Sequence, residues 1–202
     1  MNQYRCQLEE LPDRLYRVQY QESQTLHIDV GLEAADTATF YNDSVREREL
    51  FKRAVENHFT WGYRGRSPFI SLFSDRDHAK SWGNAQPWRG SNRRGKEQWT
   101  LCTIDTGLLD EIYVFKVSKL VDVLGVEIPE KAEQHKRGSY ICLHRVPTGT
   151  IYREETGSRA KDFLEHDSDH QDYFFGYDSD DSAIQNNIND NIIRMIEDDW
   201  LN

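Results

Sequence analysis

Ser67-Pro68-Phe69-Ile70-Ser71-Leu72-Phe73-Ser74 is the stretch that decides the fold. Pro68 biases the residue before it toward extended backbone, and the aromatic and branched run Phe69 to Phe73 suits a short strand. Ser71 puts a hydroxyl in the middle of that strand. Ser74 or Asp75 then caps a short helix that runs to about Trp82. A strand entered from a turn and left through a helix cap belongs to a fold that mixes both element types along the chain.

Upstream, Leu15 to Tyr20 alternates apolar and polar side chains after Pro12-Asp13 and is expected to form the first strand. The residues from there to Thr39 hold no firm pattern. Asn42 to Phe59 spaces Val45, Leu50, Phe51, Ala54, Val55 and Phe59 at helical intervals, with Asn42 or Asp43 as cap. Downstream, Gly83 to Lys96 reads as a long exposed loop, and Trp99 to Asp105, Ile112 to Val117, Tyr140 to Val146 and Thr150 to Arg153 read as strands. The expected class is α+β, with a bent or split mixed sheet and flanking helices over residues 11–153.

The remainder has a different composition. Of a net charge of −10, residues 154–202 carry 14 acidic and 3 basic side chains, which leaves the first 153 residues close to neutral. Residues 154–181 read as an acidic linker anchored by Tyr173, Phe174, Phe175 and Tyr177. Residues 182–202 bring Ile184, Ile188, Ile192, Met195, Ile196 and Trp200 to one side of an amphipathic helix, fit to dock on the domain itself or on a protein partner. The acidic polar face of this helix argues against a membrane surface. With no apolar run near the ~18 residues of a span and a polar start, the expected location is cytoplasmic, with the nucleus open to it. Cys6, Cys102 and Cys142 form no CxxC pair, and the last two lie in apolar runs, so buried inert thiols are expected. His27-Ile28-Asp29 and the acidic segment around His166 and His170 read as solvated chain, and no metal is expected.

Three motifs then stand in order: Leu15-Tyr16-Arg17-Val18, the Ser67 to Ser74 stretch, and Gly138-Ser139-Tyr140-Ile141-Cys142-Leu143. Together they resemble the ADP-ribosyltransferase superfamily, in particular fungal domains of that type and, more distantly, pierisin-like toxins. The resemblance implies an NAD-binding fold and a transferase that moves ADP-ribose to a protein or nucleic acid, with NAD as substrate. It implies that Arg17 meets the NAD phosphates or ribose and that Ser71 orients the nicotinamide ribose. Phe73, Trp82 and Tyr140 are the aromatic side chains available to wall the nicotinamide. The family sets a glutamate before the later strand, where Gly138-Ser139 stands in this chain. Ser139 can hydrogen-bond a ribose but brings no charge to the oxocarbenium ion that forms when the glycosidic bond breaks. The acids near enough in sequence to substitute are Glu133, Glu130 and Glu127 upstream and Glu154 and Glu155 downstream, and a transferase would take Glu133 in that role. The alternative is a catalytically degenerate fold that holds a nucleotide or a protein.

Two segments interleave aromatics with cations, Trp61 to Arg66 and Trp88 to Lys96, which keeps single-stranded nucleic acid open as a partner. Walker, GxGxxG and Gly-x-Ser-x-Gly motifs are absent from the sequence.

Overall fold

The computed structural model describes residues 1–20, 23–60, 63–85, 98–129 and 136–158. Glu133, the Trp88 to Lys96 segment, the acidic linker beyond Ser158 and the terminal helix lie outside the described residues.

Nine strands and three α-helices are described: β1 (Arg14–Gln19), β2 (Leu26–Ile28), β3 (Gly31–Glu33), α1 (Val45–Phe59), β4 (Phe69–Phe73), α2 (Arg76–Ala85), β5 (Gln98–Asp105), β6 (Val114–Lys116), α3 (Val117–Leu124), β7 (Ser139–Leu143), β8 (Arg145–Pro147) and β9 (Ile151–Ser158). Six of the strands form one sheet in the order β6-β7-β4-β1-β5-β9, and the other three a small sheet, β2-β3-β8. The α+β class holds. The sheet expected to be mixed is antiparallel at each described pairing. Its weakest joint is central: β1 meets β4 at a single registered pair, Tyr16 with Phe73, while β1 and β5 are paired over six residues.

The alternation of side chains along each strand divides the core in two. One face carries Val18, Phe69, Phe73, Leu101, Phe115 and Ile141, and the helices cover it with Phe51, Val55 and Phe59 of α1, Trp82 of α2 and Leu120 of α3. Phe51 is the hub, with ring centroids 5.8 Å from Phe69 and 5.1 Å from Phe115. The other face carries Leu15, Ile70, Leu72, Cys102, Ile104 and Cys142 and is covered by Leu32 and Val146 of the small sheet.

Local chemistry accounts for the boundaries. The cap of α1 is Ser44, whose hydroxyl accepts from the Glu47 amide at 3.3 Å, and not Asn42 or Asp43; Asn42 instead takes the Ser44 amide at 2.9 Å. Asp75 accepts from the His78 amide at 2.6 Å and starts α2. The expected strand Tyr140 to Val146 is cut in two by His144, which adopts φ 65° and sends β8 into the small sheet. Gly31 makes that small sheet close: its φ is 123°, and a Cβ there would stand 2.1 Å from the Val146 carbonyl oxygen.

Residues Glu154 to Ser158, read as the start of the linker, continue β9 along β5. Glu155 ties this edge to α2, meeting Arg76 at 2.6 Å and Lys80 at 3.2 Å. Hydrogen bonding from Arg76 holds the Glu155 carboxyl at about 2. Because the folded-state value lies below the ordinary carboxylate value, the stabilisation is fully present above about pH 4.5 and is lost as pH falls toward 2. Thermal melts of wild type and Glu155→Gln should therefore differ at neutral pH and converge at the acid end; a constant difference would show that the contacts contribute nothing through charge.

Candidate functional site

Strand register decides which of the sequence-predicted residues meet. On β1, Tyr16 and Val18 face the helices, so Arg17 faces the small sheet, as does its cross-strand partner Cys102. On β4, Phe69 and Phe73 face the helices, and Ser71 between them does the same. The Arg17 and Ser71 side chains thus point to opposite faces of the sheet. They are joined through the main chain: Arg17 Nη1 donates to the Ser71 carbonyl oxygen at 3.2 Å.

Arg17 is 1% exposed, and its guanidinium is distributed over several acceptors. Nη2 donates to Ser23 Oγ at 2.9 Å and Nε to Gln19 Oε1 at 3.4 Å, while Gln19 Nε2 donates to the Thr25 carbonyl at 2.5 Å. A buried cation is tolerated only with such hydrogen bonding. The network also fixes the chain from Ser23 to Thr25 against the sheet.

The Ser71 hydroxyl belongs to a second network on the helix side. His58, in the last turn of α1, lies with Nε2 2.7 Å from Ser71 Oγ and Nδ1 2.7 Å from Ser67 Oγ. Ser67 Oγ also accepts from the Phe69 amide at 3.2 Å. All three side chains are buried. Ser67 reaches the wall of an open cavity of 270 Å³ that is also lined by Tyr41, Arg53, Asn57, Tyr63 and Arg66. Burial pushes the Tyr41 hydroxyl up to about 12, with Asp36 and Glu47 adding to the effect, so it stays a hydrogen-bond donor at neutral pH. Two guanidiniums, an amide and two phenols give the cavity donors for an anionic ligand and rings for a planar one, while Asp36 and Glu47 add negative charge to the lining. Among the described residues of the basic aromatic segment read from sequence, Tyr63 and Arg66 line this cavity.

The remaining candidates are placed as follows. Ser139 is 1% exposed, on the helix face of β7 opposite Phe73. Phe73 and Trp82 are 3% and 1% exposed with centroids 6.2 Å apart; both are committed to the helix-side core and form no open wall. Tyr140 is buried on the other face, among the residues under the small sheet. The structure therefore brings Ser71, Phe73, Trp82 and Ser139 to one face of the sheet and Arg17 and Tyr140 to the other. His58, Ser67, Arg53 and Tyr41 were missed. His58 had a visible signal, being a polar residue on the buried face of α1, seven residues after Phe51 and three after Val55.

The cysteines are free and buried. Burial pushes the Cys102 and Cys142 thiols up to about 12, which leaves neither as a nucleophile. Among the described residues, the one group of side chains close enough to share an ion is His27, Cys102 and Glu154. No helix among the described residues is long and apolar enough to cross a membrane.

These features define an antiparallel α+β domain with a hydrogen-bonded arginine at its central joint and a histidine–serine network leading to a surface cavity. The chain belongs to the family described as a domain of unknown function, DUF7587, whose model matches residues 10–159. That match takes in all of β9 and ends just beyond it. Comparison with curated proteins gives no match.

Proposed function

We propose that the chain binds NAD or a related nucleotide as an ADP-ribosyltransferase-like domain, and that binding has outlasted efficient transfer. The observation that carries this reading is the continuous path of contacts from the cavity to the sheet joint. It runs from Ser67 on the cavity wall through His58 to the Ser71 hydroxyl, and from the Ser71 carbonyl to Arg17. The two residues that the family resemblance assigns to the ribose and the phosphates are thereby coupled to a cavity whose Arg53 and Arg66 suit a phosphate and whose tyrosines suit a base. At 270 Å³ the cavity takes part of a dinucleotide and leaves the rest on the surface.

The position that the resemblance gives to the catalytic carboxylate holds none, and the acids that line the cavity, Asp36 and Glu47, stand elsewhere in the chain. Cleavage of the nicotinamide–ribose bond builds positive charge on the sugar, and a carboxylate lowers that barrier. Ser139 offers none, and Glu155 is held by Arg76 and Lys80.

Calorimetric titration of the full chain with NAD and with ADP-ribose tests the reading. Binding is expected, with a Arg53→Ala/Arg66→Ala pair weakening it about tenfold or more through loss of charge-assisted contacts. Labelled NAD incubated with the protein and a lysate should show little transfer, and Ser139→Glu, if it folds, should raise NAD cleavage. Absence of binding at about 1 mM of either ligand would end the proposal.

A further inference from the structure

Three residues far apart in sequence converge under the small sheet. Cys102 of β5 and Glu154 of β9 are direct cross-strand partners, so both side chains leave the main sheet on the same face. β2 brings His27 to them, with Nε2 3.2 Å from Glu154 Oε1. The thiol sulfur, an imidazole nitrogen and a carboxylate oxygen all lie within 4.8 Å of one another.

We propose that His27, Cys102 and Glu154 form a three-ligand site for a borderline divalent ion, zinc before others. Thiolate, imidazole and carboxylate are donors of four-coordinate zinc, at about 2.3, 2.0–2.1 and 2.0–2.2 Å from the metal. Nitrogen and oxygen ligands at those lengths on a tetrahedral centre stand about 3.3 Å apart, close to the separation of His27 and Glu154. The sulfur argues against calcium and magnesium, which take oxygen ligands. Charge favours the site as well: as the metal binds, the Cys102 thiol gives up its proton to solvent, and the resulting thiolate and the Glu154 carboxylate together neutralise the dication, which matters because Arg17 lies across from Cys102 in β1.

The site has an inner and an outer side. Cys102 is fully buried, whereas the His27 and Glu154 side chains are 29% and 46% exposed. The ion would thus be anchored on the sheet and capped from the rim, with its fourth position on the solvent side for water or an anionic ligand. A bound ion would also clip β2 to β5 and β9, and β2 is otherwise a three-residue strand held by its pairing with β3. The competing account is a surface His27–Glu154 ion pair beside an inert thiol.

Cobalt(II) titration of the metal-free full chain distinguishes the two. The expected result is a thiolate-to-cobalt charge-transfer band in the near ultraviolet, accompanied by the intense visible bands of a four-coordinate centre. Cys102→Ser should abolish the charge-transfer band and Cys6→Ser should keep it. His27→Ala and Glu154→Gln should each weaken binding at least about tenfold, the lower end of what loss of even a supporting residue costs a metal site. Both of these side chains are partly exposed, so these variants carry the test if the buried serine variant does not fold. Cobalt bound without the thiolate band, a band that survives Cys102→Ser, or unchanged affinity in both His27→Ala and Glu154→Gln would overturn the proposal.

Discussion

Arg17→Ala is expected to destabilise the domain by about 3–5 kcal/mol, the range for removing a large, fully buried side chain. Packing is only part of the effect. The guanidinium donates to Ser71, Ser23 and Gln19, and hydrogen bonds from a charged group are worth about 1.5–3 kcal/mol each before the abandoned acceptors are counted. The contributions overlap, so the lower total is the one to expect. Set against a domain stability of about 5–15 kcal/mol, the loss is large, and a fall in melting temperature of about 10 °C should follow. Arg17→Lys keeps the charge but cannot span three acceptors with one ammonium, so it should recover only part of the difference. Urea denaturation of the three proteins measures this; an alanine variant that melts within about 2 °C of wild type would show that the network contributes little.

Arg17 thus carries a structural load beyond the nucleotide role proposed for it. The two roles are compatible, because the same contact that stabilises the joint between β1 and β4 sets the position of the Ser71 carbonyl. They predict different responses, however. A residue that only binds ligand changes affinity and leaves the melt of the free protein untouched, whereas Arg17 should change the free protein first.

Much of the architecture could be read from residue patterns. The strand at Phe69 to Phe73, the strand around Arg17 and the helix ending at Phe59 each carry enough apolar residues at one period to fix their type. Register carries information that no single segment holds. Arg17 and Ser71 both sit between apolar neighbours, and only the pairing of Tyr16 with Phe73 sets them on opposite faces. The small sheet was illegible for another reason. Leu26 and Ile28 are 55% and 41% exposed, so β2 has no buried face to announce it, and β3 exists through its pairing with β8. Glu154 and Glu155 were absorbed into a run of acidic residues, although cross-strand partners and basic neighbours on α2 hold them in the sheet. For the same reason the meeting of His27, Cys102 and Glu154 has no local signature: the three come from separate strands, and only the topology assembles them.

His58→Ala should be the other large loss, about 2–4 kcal/mol. The substitution empties a buried ring site and leaves the hydroxyls of Ser67 and Ser71 without the partner that each finds at 2.7 Å. Those hydroxyls are buried, so water cannot simply replace the imidazole without space and further polar partners. A neutral imidazole offers one donor and one acceptor, which suits one hydroxyl at each ring nitrogen. Ser67→Ala or Ser71→Ala alone should cost about 1 kcal/mol, the typical net worth of the one hydrogen bond removed. The double variant His58→Ala/Ser71→Ala should cost less than the sum of the two single changes by about 1 kcal/mol, because the second substitution removes a group that the first has already stranded. Strict additivity in urea unfolding would show that the 2.7 Å contact is not an energetic link. The same variants separate packing from function: if the path from the cavity to Arg17 organises a nucleotide site, Ser71→Ala should weaken NAD binding by more than its small effect on stability would account for, while leaving the cavity residues Arg53 and Arg66 in place.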